Sequence, residues 1–288
     1  MLDIVVTGGS GFIGSALLRL LAQLPDQYRA RAASVRGDAL EALNLSGVDC
    51  VVHAAGIAHV SPSPQMRPLY EAVNRDLAVA CARRARAAGV RHFVLLSSAI
   101  VFGEAAPAPD TREIAPDTPP APAGAYGLSK LEAERGVRAL EDESFRVAVV
   151  RPMMVFGPGC KGNYNRLSRL TRRFPVFPKV ANRRGAVYID DLVELLRRLI
   201  DQRASGAFHP QTFVVSTTDF ARAVARAHNR RLLVLPAPRP LLRLAGRAGV
   251  VRRALGGFCY REDMAARGLC EGALRFDECV ARTEEGHG

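Results

Sequence analysis

The stretch TGGSGFIG, residues 7–14, sets Gly8, Gly11 and Gly14 three positions apart, between an apolar run and a leucine-rich one. The run before and into it, IVVTGG at 4–9, is short, β-branched and closed by glycine, which reads as a buried strand. The run after it, SALLRLLAQL, repeats leucine at helical spacing. Strand, glycine turn and helix in that order make a cradle for phosphate. Gly8 permits the tight turn, Gly11 lets the backbone approach a pyrophosphate, and Gly14 lets the helix pack close to the sheet. The free N–H groups of the helix start, at Phe12 and Ile13, then face the phosphates, and dinucleotide binding is expected.

Further strand-like runs follow at YRARAASV (28–35), CVVHAA (50–55), HFVLLSS (92–98) and FRVAVVRP (145–152), with helical patterns at 69–89 and 127–140. Strands alternating with helices predict an α/β fold, a Rossmann-type doubly wound parallel sheet. From 157 onward the alternation breaks down and prolines and arginines accumulate, until VYIDDLVELLRRLI (187–200) reads as a return to the sheet. The expected division is a dinucleotide-binding domain over 1–152 with a return segment at about 187–216. A smaller substrate-binding domain then takes 153–186 and 217–288.

With 288 residues, 48% of them hydrophobic, the chain is neither fibrous nor disordered. Its formal charge of +12 favours acidic partners. The arginines read as spread along the whole chain, without interleaved aromatics, which describes solvated faces rather than a specific nucleic-acid site. The most apolar stretch, LLVLPAPRPLLRLAGRAGVV at 232–251, carries three arginines and three prolines, so no integral membrane span is expected. It reads as a helix packing its leucines inward, with a basic amphipathic helix on a membrane surface as the alternative. The opening MLDIVVTGG runs straight into a strand pattern, and a cytoplasmic location is expected. The six cysteines, at 50, 81, 160, 259, 270 and 279, form no CxxC pair and read as buried hydrophobes in a reducing compartment. Cys259, Cys270 and Cys279 with His287 fit no compact ligand spacing, so no metal is expected.

AYGLSK, at 125–130, places Tyr126 four residues before Lys130, one of three lysines in a chain with 37 arginines. On a helix beginning near Gly124 the two lie one turn apart on the same face. A neighbouring ammonium and the positive end of the helix dipole are both expected to lower the tyrosine pKa, suiting it to proton transfer.

TGGSGFIG, VVHAAG, LLSSAIVFGE, YGLSK and RPMMVFGP occur in the order and spacing of the extended short-chain dehydrogenase/reductases, the superfamily of nucleotide-sugar epimerases, dehydratases and ketoreductases. The resemblance covers about residues 2–200. It implies that Tyr126 is the acid/base at the substrate oxygen, that Lys130 lowers its pKa and holds the nicotinamide ribose, and that Ser98 hydrogen-bonds the reacting oxygen. It also implies cofactor contacts at Ala54, Ala55, Gly56 and Asn74, the last of which also reads as a local structural amide. Dehydratases of the family carry an Asp-Glu pair after the serine or threonine; Ala99 and Ile100 stand there, so elimination is not expected. Near the end of the second strand pattern, Arg36, helped by Arg31, suits a 2′-phosphate, so NADP(H) is favoured over NAD(H); Asp38 is the rival contact to the adenosine. The segment between the second strand and GVDCVVHAAG is shorter than in the family.

The likeness is strongest to enzymes of bacterial surface-polysaccharide (O-antigen) synthesis that reduce UDP-4-keto-6-deoxy-N-acetylhexosamines. By it, Asn163 contacts the UDP portion and Arg184 the diphosphate. The expected function is 4-keto reduction of such a nucleotide sugar, with a 4-epimerase retaining NAD as the alternative. A non-catalytic relative that senses NADP(H) or binds nucleic acid is the third reading, and the intact Ser98, Tyr126 and Lys130 weigh against it. Relatives pair through a four-helix interface, which in this chain would use 66–89 and 124–142 in a homodimer. The tail beyond about 255 lacks the family's usual closing pattern, which implies a reshaped substrate domain.

Overall fold

Within the larger sheet lies β1 (Leu2–Thr7), whose Ile4, Val5 and Val6 are fully buried because helices cover both faces. This comes from a computed structural model that describes residues 1–58, 66–246, 255–265, 272 and 274–286. β2 (Tyr28–Ala33), β3 (Cys50–His53), β4 (His92–Leu96), β6 (Arg146–Val150) and β10 (Gly206–Phe208) complete six parallel strands in the order β10-β6-β4-β3-β1-β2. β2 is the edge, and its arginines at 29 and 31 face water and discourage further pairing. The expected strands all form; β10 was not foreseen, because three residues carry no readable period.

Since β2 and β3 flank β1 on opposite sides, the winding direction reverses at β1, and a crevice opens there at the carboxyl ends of the strands. α1 (Phe12–Ala22) follows β1. A longer helical run consists of α2 (Arg67–Tyr70), a π-helical turn over Glu71–Asp76, and α3 (Leu77–Ala87). α4 (Ala125–Arg138) starts after Gly124 in extended conformation, as expected, and buries Leu131, Ala133 and Val137. The rings of Phe93 and Phe145 pack 6.0 Å apart in a cluster with Val51 of β3, Leu95 of β4 and Val147 and Val149 of β6.

The chain divides into two units, Met1–Gly103 with Pro119–Arg151 and Leu192–His209, and Glu104–Thr118 with Pro152–Asp191 and Pro210–Gly288. This corrects the expected boundaries. β5 (Thr111–Ile114), inside the proline-rich stretch assigned to the first domain, pairs with β13 (Gly257–Tyr260) and so belongs to the second unit. β9 (Arg184–Tyr188) looked like a return to the nucleotide sheet. It lies instead in the second unit's sheet, ordered β11-β9-β13-β5, where β7 (Met154–Phe156) and β11 (Phe213–Val215) also pair with it. Only from Leu192 onward does α6 (Ile189–Gln202) belong to the first unit.

In the second unit α5 (Asn163–Arg173) and α7 (Thr217–Ala227) pack around Phe156, whose ring lies 5.7 Å from Tyr164 and 6.0 Å from Phe220. The atypical tail is built in by α9 (Phe276–Glu285). Its buried Glu284 accepts hydrogen bonds from Tyr164 Oη at 2.6 Å and Ser168 Oγ at 2.9 Å, and lies 2.7 Å from His228 Nε2. Five cysteines are free and buried, in keeping with hydrophobic use; Cys270 and His287 lie outside the described residues.

Candidate active site

Gly8, with φ of +72°, makes the turn that no β-carbon fits: one would lie 2.6 Å from Ala55 N and 2.7 Å from Ala54 C. A β-carbon on Gly14 would lie 2.4 Å from Gly8 O, so helix and turn are in backbone contact. Gly11 caps α1 in extended conformation with no side-chain cap and no acid in the first turn, leaving the helix's N-terminal N–H groups available to an anion. Phe12 and Ile13 open the helix, both partly exposed. These close approaches fit a dinucleotide whose pyrophosphate must touch backbone. Gly14→Ala should therefore weaken binding of a nicotinamide dinucleotide about tenfold or more in a fluorescence titration with NADH and NADPH, because about 1–3 kcal/mol of overpacking falls on the turn itself.

Gly56 extends the crevice. A β-carbon there would meet Asn74 Oδ1 at 2.9 Å and Lys130 Nζ at 3.2 Å. Asn74, on the π-helical turn, is 1% exposed. Its Oδ1 accepts from Ile57 N at 2.9 Å, and its Nδ2 donates to Ile57 O at 3.1 Å and Ser129 Oγ at 3.2 Å. Ser129 Oγ in turn donates to Tyr126 O at 2.9 Å. Both amide hydrogens of Asn74 are thus committed to the chain, and it braces the loop after β3 against α4, which is the structural side of the expectation. The inserted π turn is what aims it there.

Ser98 and Tyr126 meet because α4 enters close to the turn that follows β4. A β-carbon on Gly127 would lie 3.0 Å from Ile100 O. Ser98 Oγ accepts from Ile100 N at 3.3 Å and is hydrogen-bonded to the Tyr126 phenol. The Tyr70 ring lies 5.7 Å from that of Tyr126 and backs the site. Lys130 Nζ donates to Leu96 O, the last carbonyl of β4, at 2.9 Å.

The electrostatics correct one expectation. Burial pushes the Tyr126 pKa up to about 12, the Ser98 hydrogen bond opposes this, and Tyr70 adds to it; Lys130 is not among the influences on it. Burial instead lowers Lys130 to about 8, with the Glu134 carboxylate holding it up. Desolvation outweighs the helix dipole and the ammonium, because Lys130 Nζ is turned to the backbone carbonyl of Leu96. Tyr126 is therefore a loaded proton donor at neutral pH.

Several residues of the site were not foreseen. His53 Nδ1 lies 2.9 Å from Thr7 Oγ1, its Nε2 is buried without a partner, and burial followed by the Lys130 charge lowers it to about 3. Glu134 stands one turn beyond Lys130, and that spacing was the available signal. It is 2% exposed, accepts from Ser97 Oγ, and pairs with Arg151 Nη2 at 2.6 Å. Arg36 is exposed on the loop after β2, with its N–H 3.4 Å from Ser34 Oγ, while Arg31 is drawn aside to Asn44 O. Asn163 and Arg184 belong to the second unit: Asn163 opens α5, and Arg184, 7% exposed and lowered to about 10 by burial, donates to Gly256 O at 2.8 Å.

A UDP-glucose 4-epimerase of Vibrio cholerae is 32% identical over 288 aligned residues, 88% of this chain and 85% of its own. Two solved structures share the fold with TM-scores of 0.75. MoeE5 in complex with UDP-glucose and NAD is 23% identical, covering 99% of this chain and 98% of its own. A dTDP-4-dehydrorhamnose reductase of Bacillus anthracis in complex with NADP is 20% identical, covering 99% of each. The profile of the NAD dependent epimerase/dehydratase family matches residues 4–216, from the first strand past the Tyr126 and Lys130 helix, and the chain belongs to that enzyme family.

Proposed function

We propose that the chain reduces the 4-keto group of a nucleotide-linked 6-deoxy-N-acetylhexosamine with NADPH, in the making of surface-polysaccharide (O-antigen) precursors. The observation that carries this is the Tyr126 phenol hydrogen-bonded to Ser98 and set one helical turn from Lys130, with burial raising its pKa so that it suits the acid a reductase needs at the carbonyl oxygen. Gly8, Gly11 and Gly14 would hold the pyrophosphate, and Gly56 and Lys130 the nicotinamide ribose end. When bound, the dinucleotide supplies the hydride. Tyr126 Oη gives its proton to the carbonyl oxygen of the substrate, Ser98 donates a hydrogen bond to that oxygen, and the Lys130 charge stabilises the phenolate until solvent reprotonates it. Asn163 and Arg184 are proposed contacts of the UDP portion and the diphosphate. Ala99 and Ile100 offer no carboxylate for elimination, which separates the reading from a dehydratase.

The second reading is a 4-epimerase with retained NAD, favoured by the 32% identity to the Vibrio cholerae epimerase. One assay separates them. The near-ultraviolet absorbance of NADPH, and of NADH in parallel, is followed after adding a UDP-4-keto-6-deoxy-N-acetylhexosamine. Stoichiometric oxidation establishes the reductase. Interconversion of UDP-sugars at C4 with no net oxidation establishes the epimerase and ends the first reading. Arg36→Ser should cut the preference for NADPH over NADH about tenfold, leaving NADH turnover unchanged, because a charge-assisted contact to the 2′-phosphate is removed.

A further inference from the structure

The ionised residues of this chain are not evenly spread, contrary to the first reading of the sequence. Residues 145–189 and 220–261 each carry ten lysines or arginines and no aspartate or glutamate. Much of this cationic sequence lies in the second unit, and there it includes exposed apolar side chains.

β8 (Val176–Pro178) and β12 (Leu233–Leu235) form a two-stranded parallel ribbon with Leu233 opposite Val176. Their alternation turns Phe177 inward, 1% exposed, and leaves Val176, Leu233 and Leu235 outward, with Leu233 57% exposed. Phe174, just before β8, is also exposed, under the Arg173 guanidinium at 5.9 Å from its centroid. Four positions past Leu235 begins α8 (Arg239–Gly246). Leu242 anchors it against Ala108 and Val180, while Leu241 and Leu244 point outward at 60% and 64% exposure. Of the expected inward-packing leucines, then, Leu242 turns in, and Leu241 and Leu244 do not.

Among the described residues, ion pairs engage Arg239 and Arg243 with Asp110, Arg222 with Asp219 and Arg226 with Asp277, but none engages Arg172, Arg173, Arg230 or Arg231. Those four flank the ribbon: Arg172 and Arg173 end α5 just before it, and Arg230 and Arg231 precede β12. Arg230 donates to the Arg172 carbonyl, but no carboxylate among the described residues offsets the four charges. Single exposed leucines need no explanation, but several exposed apolar side chains next to such arginines do.

We infer that this face of the second unit docks on an anionic phospholipid surface, with Leu241, Leu244, Leu233 and Phe174 entering the interface and the arginines meeting lipid phosphates. Apolar centre and cationic margin are the two contributions that peripheral membrane attachment combines. No described helix is long and apolar enough to cross a membrane, so attachment is peripheral. A second copy fits the face poorly, because two such surfaces would bring arginine margins together. The inference does not depend on the proposed reaction.

The test is cosedimentation of the full chain with vesicles of equimolar phosphatidylglycerol and phosphatidylcholine, against vesicles of phosphatidylcholine alone. Binding is expected on the anionic vesicles and is expected to weaken with added salt. The double variant Leu241→Glu/Leu244→Glu should bind at least about tenfold more weakly, since both apolar contacts are lost and two negative charges gained. Arg173→Gln and Arg231→Gln should each cost about fivefold. Unchanged thermal unfolding confirms that the variants fold. Failure to bind, equal binding to neutral vesicles, or binding that the leucine variant leaves intact would each overturn the inference. So would a lipid-free dimer that Leu241→Glu dissolves, because a second copy would then cover the face.

Discussion

Tyr126→Phe should lower kcat by about a thousandfold while leaving dinucleotide binding and thermal unfolding near their original values. Removing one hydroxyl takes away the only atom of that ring with which the substrate oxygen can exchange a proton. The ring itself stays packed against Tyr70, 5.7 Å away, and the helix start is untouched. The pH dependence of the intact enzyme gives the same argument a second readout. Burial raises Tyr126 to about 12, so loss of its proton would not limit the proposed reduction at physiological pH. Lys130, lowered by burial to about 8, is charged below that pH and neutral above it. On the role proposed for Lys130, the charge that would stabilise the phenolate is present on the acid side and is lost as pH rises through about 8. Reduction should hold level towards neutral pH and decline through the Lys130 titration. A decline only near the tyrosine value, or none, would remove Lys130 from the role given to it. Stopped-flow rates at saturating cofactor measure both effects, with Tyr126→Phe as the reference.

The sequence made the first unit legible because its signals are local. The glycine spacing at Gly8, Gly11 and Gly14 records backbone contacts that any side chain would block, and a fixed turn leaves that mark in a short stretch. Tyr126 and Lys130 lie one turn apart on one helix, so their proximity followed from spacing, but the sign of the pKa shift did not. That sign depends on burial by β4, the Ser98 turn and Tyr70, none of which the helix pattern contains. Partners distant in sequence were hidden in the same way. Glu134 and Arg151 come from different elements, and β5 belongs to the second unit only because β13, well over a hundred residues on, pairs with it. The segregation of charge is readable from the sequence, but its meaning depends on Val176 of β8 and Leu233 and Leu235 of β12 pointing outward, which three-residue strands do not announce.

The second large effect is expected at Glu134. Its carboxylate accepts from Arg151 Nη2 at 2.6 Å and from Nε at 3.1 and 3.2 Å, and also from Ser97 Oγ. The pair is buried, with side-chain exposures of 12% for Arg151 and 2% for Glu134. Glu134→Ala removes the carboxylate from beside the buried guanidinium, which also lies 5.1 Å from the Phe102 centroid and 3.4 Å from His209 Nε2. His209 cannot compensate, since burial and then the Arg151 charge lower it to about 4, and it carries no negative charge in any form. Breaking a buried ion pair by removing one partner costs about 3–5 kcal/mol, a large part of the roughly 5–15 kcal/mol that holds a domain together. Amide exchange in β4 and β6 should accelerate accordingly, because these strands carry Ser97 and Arg151 at their ends. Glu134→Gln separates stability from electrostatics. The amide oxygen still accepts from Arg151 and recovers part of the loss, but the negative charge that holds Lys130 up is gone. Both variants should therefore move the alkaline limb of the rate profile to lower pH, and only the alanine variant should unfold early. Were Glu134→Gln to leave that limb in place, Glu134 would be a structural partner of Arg151 alone, and the ammonium of Lys130 would owe its charge to the carbonyl of Leu96.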